Sequence, residues 1–395
     1  MTAAPEGAFD GLELAAAQRL APELTERSAE IEQARQVPAD LVRRMQQGGL
    51  FDACVPRRYG GRERTAVEVL RLIESVSYAD SAAGWLTMIF GTTAVTAASL
   101  PPEWAAHIFG GTAPSPIVAG ATAPTGKARR VDGGLQVTGR WAWGSGTAHC
   151  DWIFGGVLVE TDDGVAKNDD GQPRVHVVCF EADQVRLHGN WDASGLRGTG
   201  SGDFEVEGAL VPDGRWIVLG ETHSHEPGAL YHVPFFGLFA AAVAAVPLGI
   251  ARRALDDFTE LAKRKIPAWG RTTINESALV QLDLGRAEAL VEGARRYLYH
   301  VVGEVYERVA GGGDATLEDR RQLRLAASQA AQWCCDAVDI VYDAGGGTSV
   351  LASSPLQRHF RDVHTATGHR MISRAPVRLA GALRLTDVPF SASDL

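Results

Sequence analysis

The spacing of the apolar residues changes twice along the chain, and this constrains the fold more than any single motif. From about residue 10 to 112 apolar residues recur every three or four positions, which predicts α-helices. From about 114 to 220 short runs of β-branched and aromatic residues alternate with Gly, Asp and Pro, which predicts strands with antiparallel connections. After about residue 225 helical spacing returns over four or five long segments.

These patterns predict an α+β protein, mainly α, with three domains. We expect an N-terminal all-helical domain over residues 1–113 and a central β-barrel or β-sandwich domain over 114–224. The remaining residues, 225–395, should form a C-terminal helical bundle of the four-helix type.

The longest apolar stretch covers residues 228–251 and reads GALYHVPFFGLFAAAVAAVPLGIA. Its length would suit a membrane span, but His232, Pro234 and Pro247 interrupt it, so we expect a buried helix and no membrane partner. The first twenty residues lack the basic start and apolar run of a signal peptide. Five scattered cysteines without CxxC spacing indicate free thiols in a reducing, cytoplasmic compartment.

Charge and histidine spacing argue against two further classes of partner. The formal net charge is −10, and no block of Lys and Arg is long enough to follow a phosphate backbone, so we expect no nucleic-acid partner. The histidines do not pair with Cys or carboxylates at ligand spacing, and the HSH run at 223–225 lies in a polar segment. The sequence therefore predicts no metal site.

Several local motifs give a more specific signal. They are GLFDACVPRRYGG (49–61), DSAAGW (80–85), GRWAWGSGTAHCDW (139–152), WDASGLRGTGSGDFEVEGALVP (191–212), and YDAGGGTSV followed by SPLQRHFRDVHTATGH (342–369). Together with the helix, strand and helix order, they resemble the acyl-CoA dehydrogenase architecture over about residues 20 to 385. Within that superfamily the motifs are most similar to the two-component flavin-dependent monooxygenases.

The chain departs from the dehydrogenase pattern where a catalytic base is needed. A dehydrogenase removes a weakly acidic proton, which requires a carboxylate over the flavin. In most members that Glu follows an Arg-Asp pair matching Arg361 and Asp362 by about eight residues, where this chain has His369 and Arg370. The alternative seat, on the helix at 235–249, also lacks an acid.

The resemblance implies a reaction with O2. A separate NAD(P)H:flavin reductase would supply FADH2 or FMNH2 by diffusion, the flavin would form a C4a-hydroperoxide, and one oxygen atom would pass to a small aromatic substrate of the phenol or indole type. The resemblance also implies a homotetramer. The alternatives are an N- or S-oxygenating relative, acting on an amino sugar or thioether, and an acyl-CoA dehydrogenase with a displaced base.

The flavin would contact the segment GRWAWGSG. By resemblance, Ser145 hydrogen-bonds near flavin N5, while Trp141 and Trp143 pack against the ring. Without the resemblance, the same residues would read as a core strand with alternating aromatic residues that ends in a WGSG turn.

The closing helical segment supplies the second candidate catalytic residue. By resemblance, His369 faces the substrate, where an imidazole can accept a phenol or indole proton or hydrogen-bond the distal peroxide oxygen. His364 should lie nearby in a supporting, substrate-binding position, and His359 should be structural. The remaining predicted substrate-binding residues are Phe90, Thr92, Thr93 and Phe239.

The phosphate and adenosine end of the flavin is assigned by resemblance to a different set of residues. It comprises Gly345, Gly346 and Gly347 with Arg264 and Gln281, often across a subunit boundary. The segment LRGTGSGD (196–203) precedes a strand rather than a helix, so it should be a structural turn near the flavin.

Overall fold

The computed structural model describes residues 11–111, 114–169 and 171–386. The predicted boundary at 113 and both ends of the chain lie outside these residues. The N-terminal part is helical, as the spacing of apolar residues predicted. Its α-helices are α1 (Leu12–Glu26), α2 (Ser28–Ala34), α3 (Ala39–Gln47), α4 (Ala66–Ala79), α5 (Ser81–Ala94) and α6 (Pro102–Phe109).

Side-chain caps fix where the two buried helices of this part begin. Thr65 and Glu68 form a reciprocal capping box at the start of α4. The carboxylate of Asp80 accepts a hydrogen bond from the Ala83 amide at the start of α5. Asp80 also follows the last residue of α4, so α5 begins without a connecting loop. Almost all residues of α5 are buried.

One mixed sheet forms the central part. Its strands are β1 (Val118–Val131), β2 (Gly134–Trp141), β3 (Trp152–Thr161), β4 (Gly164–Val165), β5 (Val175–Glu181), β6 (Arg186–Leu187), β7 (Phe204–Pro212) and β8 (Trp216–Val218). The order across the sheet is β6, β7, β2, β1, β3, β5, β8, and β4 pairs with β3.

Strand pairing differs from the all-antiparallel prediction at one place. β1 and β3 run parallel, with Val118 opposite Trp152, whereas the other pairs are antiparallel. The reason is the route of the chain, since β2 returns beside β1 and residues 142–151 then cross to the other side of β1. This crossover contains the WGSG sequence and lies at the end of the sheet that meets α5, where a Cβ on Gly146 would collide with Phe90.

Five α-helices follow among the described residues after the sheet. They are α7 (Phe235–Ala262), α8 (Ala278–Ala310), α9 (Leu317–Ala344), α10 (Pro355–Thr367) and α11 (Arg374–Leu385). By length and composition alone, α7 is apolar enough to cross a membrane, but 78% of its most apolar window is buried inside the protein. It is therefore the central core helix, as predicted from the broken apolar stretch.

Small residues let α7 approach α4 closely. A Cβ added to Gly249 would lie 2.5 Å from the backbone oxygen of Glu74 and from the Ser77 side chain. The buried alanines of α7 extend this close contact, and one continuous apolar core includes residues from all three parts of the chain.

Polar contacts tie the three parts together at Arg361 and Asp362 of α10. Asp362 is buried and accepts hydrogen bonds from the Leu196 amide (2.7 Å) and from the hydroxyl of Ser81. Arg361 donates to the Ser194 carbonyl (2.5 Å), and a Cβ on Gly195 would lie 2.1 Å from the Arg361 carbonyl oxygen. The Arg-Asp pair therefore holds the loop at 191–203 against α5 and α10.

Replacing Asp362 should loosen this junction. Asp362→Ala leaves the buried Leu196 amide and Ser81 hydroxyl without their acceptor, which should cost about 2–5 kcal/mol of the free energy of unfolding in urea. Asp343→Ala, which changes an exposed carboxylate on α9, should cost less than about 0.5 kcal/mol. Equal stability of the two variants would contradict the linking role of Asp362.

Candidate functional site

A chain of hydrogen bonds runs from Trp85 on α5 through three hydroxyl groups to the loop at 191–203. Ser145 is buried, and its Oγ accepts a hydrogen bond from Trp85 Nε1 (3.1 Å) and bonds to Ser201 Oγ (2.7 Å). Ser201 Oγ lies 2.6 Å from Thr199 Oγ1, which donates to the Leu196 carbonyl (2.9 Å). The sequence placed Ser145 at the site but did not identify its two side-chain partners, Trp85 and Ser201, or the link from Ser201 to Thr199.

The direction of this chain is assigned from one choice of proton. Placing the Thr199 hydroxyl proton on the Leu196 carbonyl makes Ser201 the donor to Thr199 and Ser145 the donor to Ser201. Ser145 also accepts from Trp85, which leaves one lone pair on its oxygen. In this assignment Ser145 offers a further ligand an acceptor but no proton.

Two residues with strained backbones lie on the loops that meet at Ser145. Trp143 has φ of 69° and its ring is 70% exposed, and Leu196 has φ of 48°. Left-handed backbone is unusual for bulky side chains and is often found at ligand sites. The exposed Trp143 ring packs its edge on Trp191, with centroids 5.7 Å apart, so a large aromatic surface stands free beside the loop.

The structure gives Trp141 a different place from the predicted ring contact. It has no exposed surface, stacks on Phe204 with centroids 5.1 Å apart and donates from Nε1 to the Gly156 carbonyl (2.8 Å). Trp141 ends β2 inside the sheet, whereas Trp143 lies beyond it, so the two rings do not share a face. The interpretation as a core strand describes Trp141, and Trp143 alone offers a free ring.

His369 lies next to the same tryptophan that binds Ser145. Its ring meets the edges of Trp85 and Phe239, each with centroids 5.7 Å away. Burial and the nearby charge of buried Arg324 lower the pKa of His369 to about 4, so the ring is neutral at pH 7. Its Nδ1 accepts the Met371 amide (3.3 Å), which places the proton of the neutral ring on Nε2.

The other predicted substrate-binding residues, which lie on α5, are less able to contact a substrate. Phe90 is buried, packs against Phe51 and lies directly against the crossover at Gly146. Thr92 is buried and donates within α5 to the Met88 carbonyl (2.7 Å). Thr93 is half-buried.

The two histidines within α10 point to other helices. His359 is buried and its Nε2 lies 2.7 Å from Asp257 on α7, a contact that agrees with the predicted structural role. His364 is exposed and faces α9, where its Nε2 lies 2.8 Å from Asp339. Its contacts are therefore with α9 rather than with Trp85 and Phe239, although the sequence analysis placed it in the substrate pocket.

A lysine that sequence analysis missed binds the glycine turn predicted for the flavin phosphate. Lys265, next to Arg264 at the end of α7, donates to the Gly345 carbonyl (2.5 Å), and Gly346 is in the left-handed region with φ of 54°. Gly347 is exposed, as is Gln281, which donates to the Asn275 carbonyl (2.9 Å). Lys265 supplies positive charge at a turn open to solvent.

This turn lies at the other end of α10 from His369. A Cβ on Gly345 would lie 3.1 Å from the side chain of Leu356 near the start of α10, and His369 follows Leu356 by 13 residues, or about 20 Å at the rise of an α-helix.

Comparison with known proteins agrees with the fold and with the predicted family. Residues 12–100 match the N-terminal domain model of the acyl-CoA dehydrogenases, and residues 241–374 match the C-terminal domain model. A solved structure described as XiaF from Streptomyces sp. in complex with FADH2 and glycerol superimposes with a TM-score of 0.87 at 24% identity, covering 95% of this chain and 96% of that one.

Two curated relatives are similar over nearly their whole length. Indole-3-acetate monooxygenase of Pseudomonas putida is 30% identical, with 90% of this chain and 89% of the relative covered. The pigment production hydroxylase of Rhodococcus erythropolis is 31% identical, with 89% and 90% covered. The chain therefore belongs to the flavin-dependent monooxygenases that share the acyl-CoA dehydrogenase fold.

Proposed function

We propose that this chain is the oxygenase component of a two-component monooxygenase that uses reduced flavin and O2 to hydroxylate a small aromatic substrate of the phenol or indole type. The observation that carries the proposal is the position of Ser145, whose buried hydroxyl bonds to Ser201 and accepts a hydrogen bond from Trp85; with its proton on Ser201, its oxygen keeps one free lone pair. The name of one relative, indole-3-acetate monooxygenase, supports an aromatic substrate of the indole type.

A free lone pair on Ser145 suits reduced flavin better than oxidised flavin. Reduced flavin carries a proton on N5 and can donate to Ser145, whereas N5 of oxidised flavin is an acceptor and would face a second acceptor. When bound, the flavin supplies the activation of O2 and the oxygen atom that is transferred. The exposed Trp143 ring fits the flat ring of such a cofactor.

His369 is suited to direct the transfer. Its ring is neutral, its Nε2–H is a hydrogen-bond donor, and Trp85 and Phe239 form apolar walls on two sides. A donor there can polarise an acceptor oxygen or hold a substrate oxygen or ring in place. Asp362, the carboxylate nearest to His369 along the sequence, already accepts bonds at both oxygens, which does not suit the base of a dehydrogenase.

Assembly and location form part of the same proposal. The glycine turn and Lys265 are open to solvent at the other end of α10 from His369, so they are free to meet another copy, which supports the predicted homotetramer. The five cysteines are buried and free, which suits a cytoplasmic enzyme.

The first test concerns Ser145. Ser145→Ala should keep the fold but release more hydrogen peroxide per flavin oxidised, because the N5 proton loses its acceptor. Ser77→Ala, a buried serine on α4, is the control and should couple flavin oxidation to product as the parent does. Unchanged coupling in Ser145→Ala would refute the assigned contact.

A second test separates the two possible roles of His369. His369→Ala should slow hydroxylation about 10²- to 10⁴-fold, and His369→Gln should recover part of the rate because an amide N–H can also donate. Exposed His300→Ala on α8 is the control. Equal losses in the Gln and Ala variants would indicate a base instead of a donor.

The same residue predicts a pH profile. Since the pKa of His369 is lowered to about 4, it should remain neutral from pH 8 to about 5 and impose no titration on the transfer step in that range. A loss of rate at lower pH should disappear in His369→Gln. Single-turnover rates measured against pH would show both, and a titration near 6.5 that depends on His369 would contradict this assignment.

A third test concerns the electron source. No G-x-G-x-x-G segment opens a helix after a strand in this sequence, so the purified chain should not oxidise NAD(P)H. Adding a flavin reductase and free flavin should start hydroxylation. Strong NADH oxidation by the chain alone would overturn the two-component assignment.

A further inference from the structure

A cysteine, a carboxylate and an imidazole converge between α9 and α10, away from the contacts of His369. Cys335 and Asp339 are four residues apart on α9 and so share one face of that helix. His364 of α10 projects onto this face, and one ligand atom from each residue lies within 4.8 Å of the other two.

The distances are close to those of a metal centre, although the His364 ring would have to turn to bind an ion. Its Nδ1 and Nε2 lie 3.5 and 3.8 Å from Cys335 Sγ, and Nε2 lies 2.8 Å from Asp339 Oδ1. Tetrahedral zinc holds sulfur and nitrogen ligands about 3.6 Å apart, and nitrogen and oxygen ligands about 3.4 Å apart. A metal ion would therefore replace the proton shared by His364 and Asp339, separate those two atoms by about half an ångström and turn the ring so that one nitrogen points to the space beside Sγ.

Access and ligand chemistry point to the same class of ion. The side chains of His364 and Asp339 are 42% and 41% exposed, so an ion can enter from solvent, while Cys335 forms the buried floor. Phe360 packs against the His364 ring, with centroids 4.4 Å apart. One thiolate, one imidazole and one carboxylate form a donor set typical of zinc and related transition metals rather than of calcium or magnesium.

We propose that Cys335, Asp339 and His364 form a binding site for a zinc-class divalent ion, with the fourth position open to solvent. This revises the prediction of no metal site. The ligand spacing along the sequence gave no signal, because His364 lies 25 residues after Asp339 and on a different helix.

A metal ion here would clamp α10 to α9. α10 carries Asp362, and His369 follows two residues after its last residue, so the clamp would stabilise the segment that positions both. The ion would lie outside the contacts of Ser145 and His369, so the proposal does not depend on the proposed oxygenase activity.

Metal binding can be measured directly on the full-length chain without an affinity tag. After treatment with a chelator, equilibrium dialysis against micromolar Zn²⁺ should give about one ion per chain, and Co²⁺ should give the intense visible bands of a tetrahedral site with a thiolate absorption. Cys335→Ser and His364→Gln should each weaken Zn²⁺ binding at least tenfold and remove the thiolate band or the tetrahedral bands.

Matched controls are available for both substitutions. Cys334→Ser alters the adjacent buried cysteine, and His300→Gln alters an exposed histidine on α8; both should bind Zn²⁺ as the parent does. The exposed position of His364 makes its variant informative even if Cys335→Ser folds poorly. Binding well below one ion per chain, or equal binding by the parent and His364→Gln, would overturn the proposal.

Discussion

The buried carboxylate of Asp362 is the contact on which the site depends. It joins α10 to the Leu196 amide of the central part and to the Ser81 hydroxyl of the N-terminal part. Burial raises its pKa, and the same two hydrogen bonds act in the opposite direction. Leu196 also accepts the last proton of the hydroxyl chain that starts at Ser145, so one carboxylate fixes the loop that sets the proton order.

The proton order links structure to cofactor preference. Trp85 joins the two candidate catalytic residues, because its N–H donates to Ser145 while its ring lies against His369. With its proton on Ser201, Ser145 is an acceptor, and His369 is a neutral donor through Nε2. An enzyme that binds reduced flavin and transfers oxygen needs an acceptor for the N5 proton and a donor for the transferred oxygen. Ser145 and His369 are suited to these two roles.

Sequence patterns predicted the succession of helices, strands and helices, because apolar spacing is a local property. They did not predict the parallel pairing of β1 and β3, which depends on the route of a crossover. By resemblance, Trp141 and Trp143 were both expected against the flavin ring, but β2 ends at Trp141 and the backbone of Trp143 is left-handed. Trp85 was part of a recognised motif, yet its bond to Ser145 arises only from tertiary packing across 60 residues.

The most direct measurement is the affinity of the chain for reduced and oxidised flavin, determined anaerobically for the parent and for Ser201→Ala. The parent should bind reduced flavin at least about tenfold more tightly than oxidised flavin, since a hydrogen bond is gained with the reduced form and two acceptors meet with the oxidised form. Ser201→Ala frees the Ser145 proton to bond oxidised N5 and should narrow the difference. Equal affinities in the parent, or an unchanged ratio in the variant, would contradict the assigned proton order.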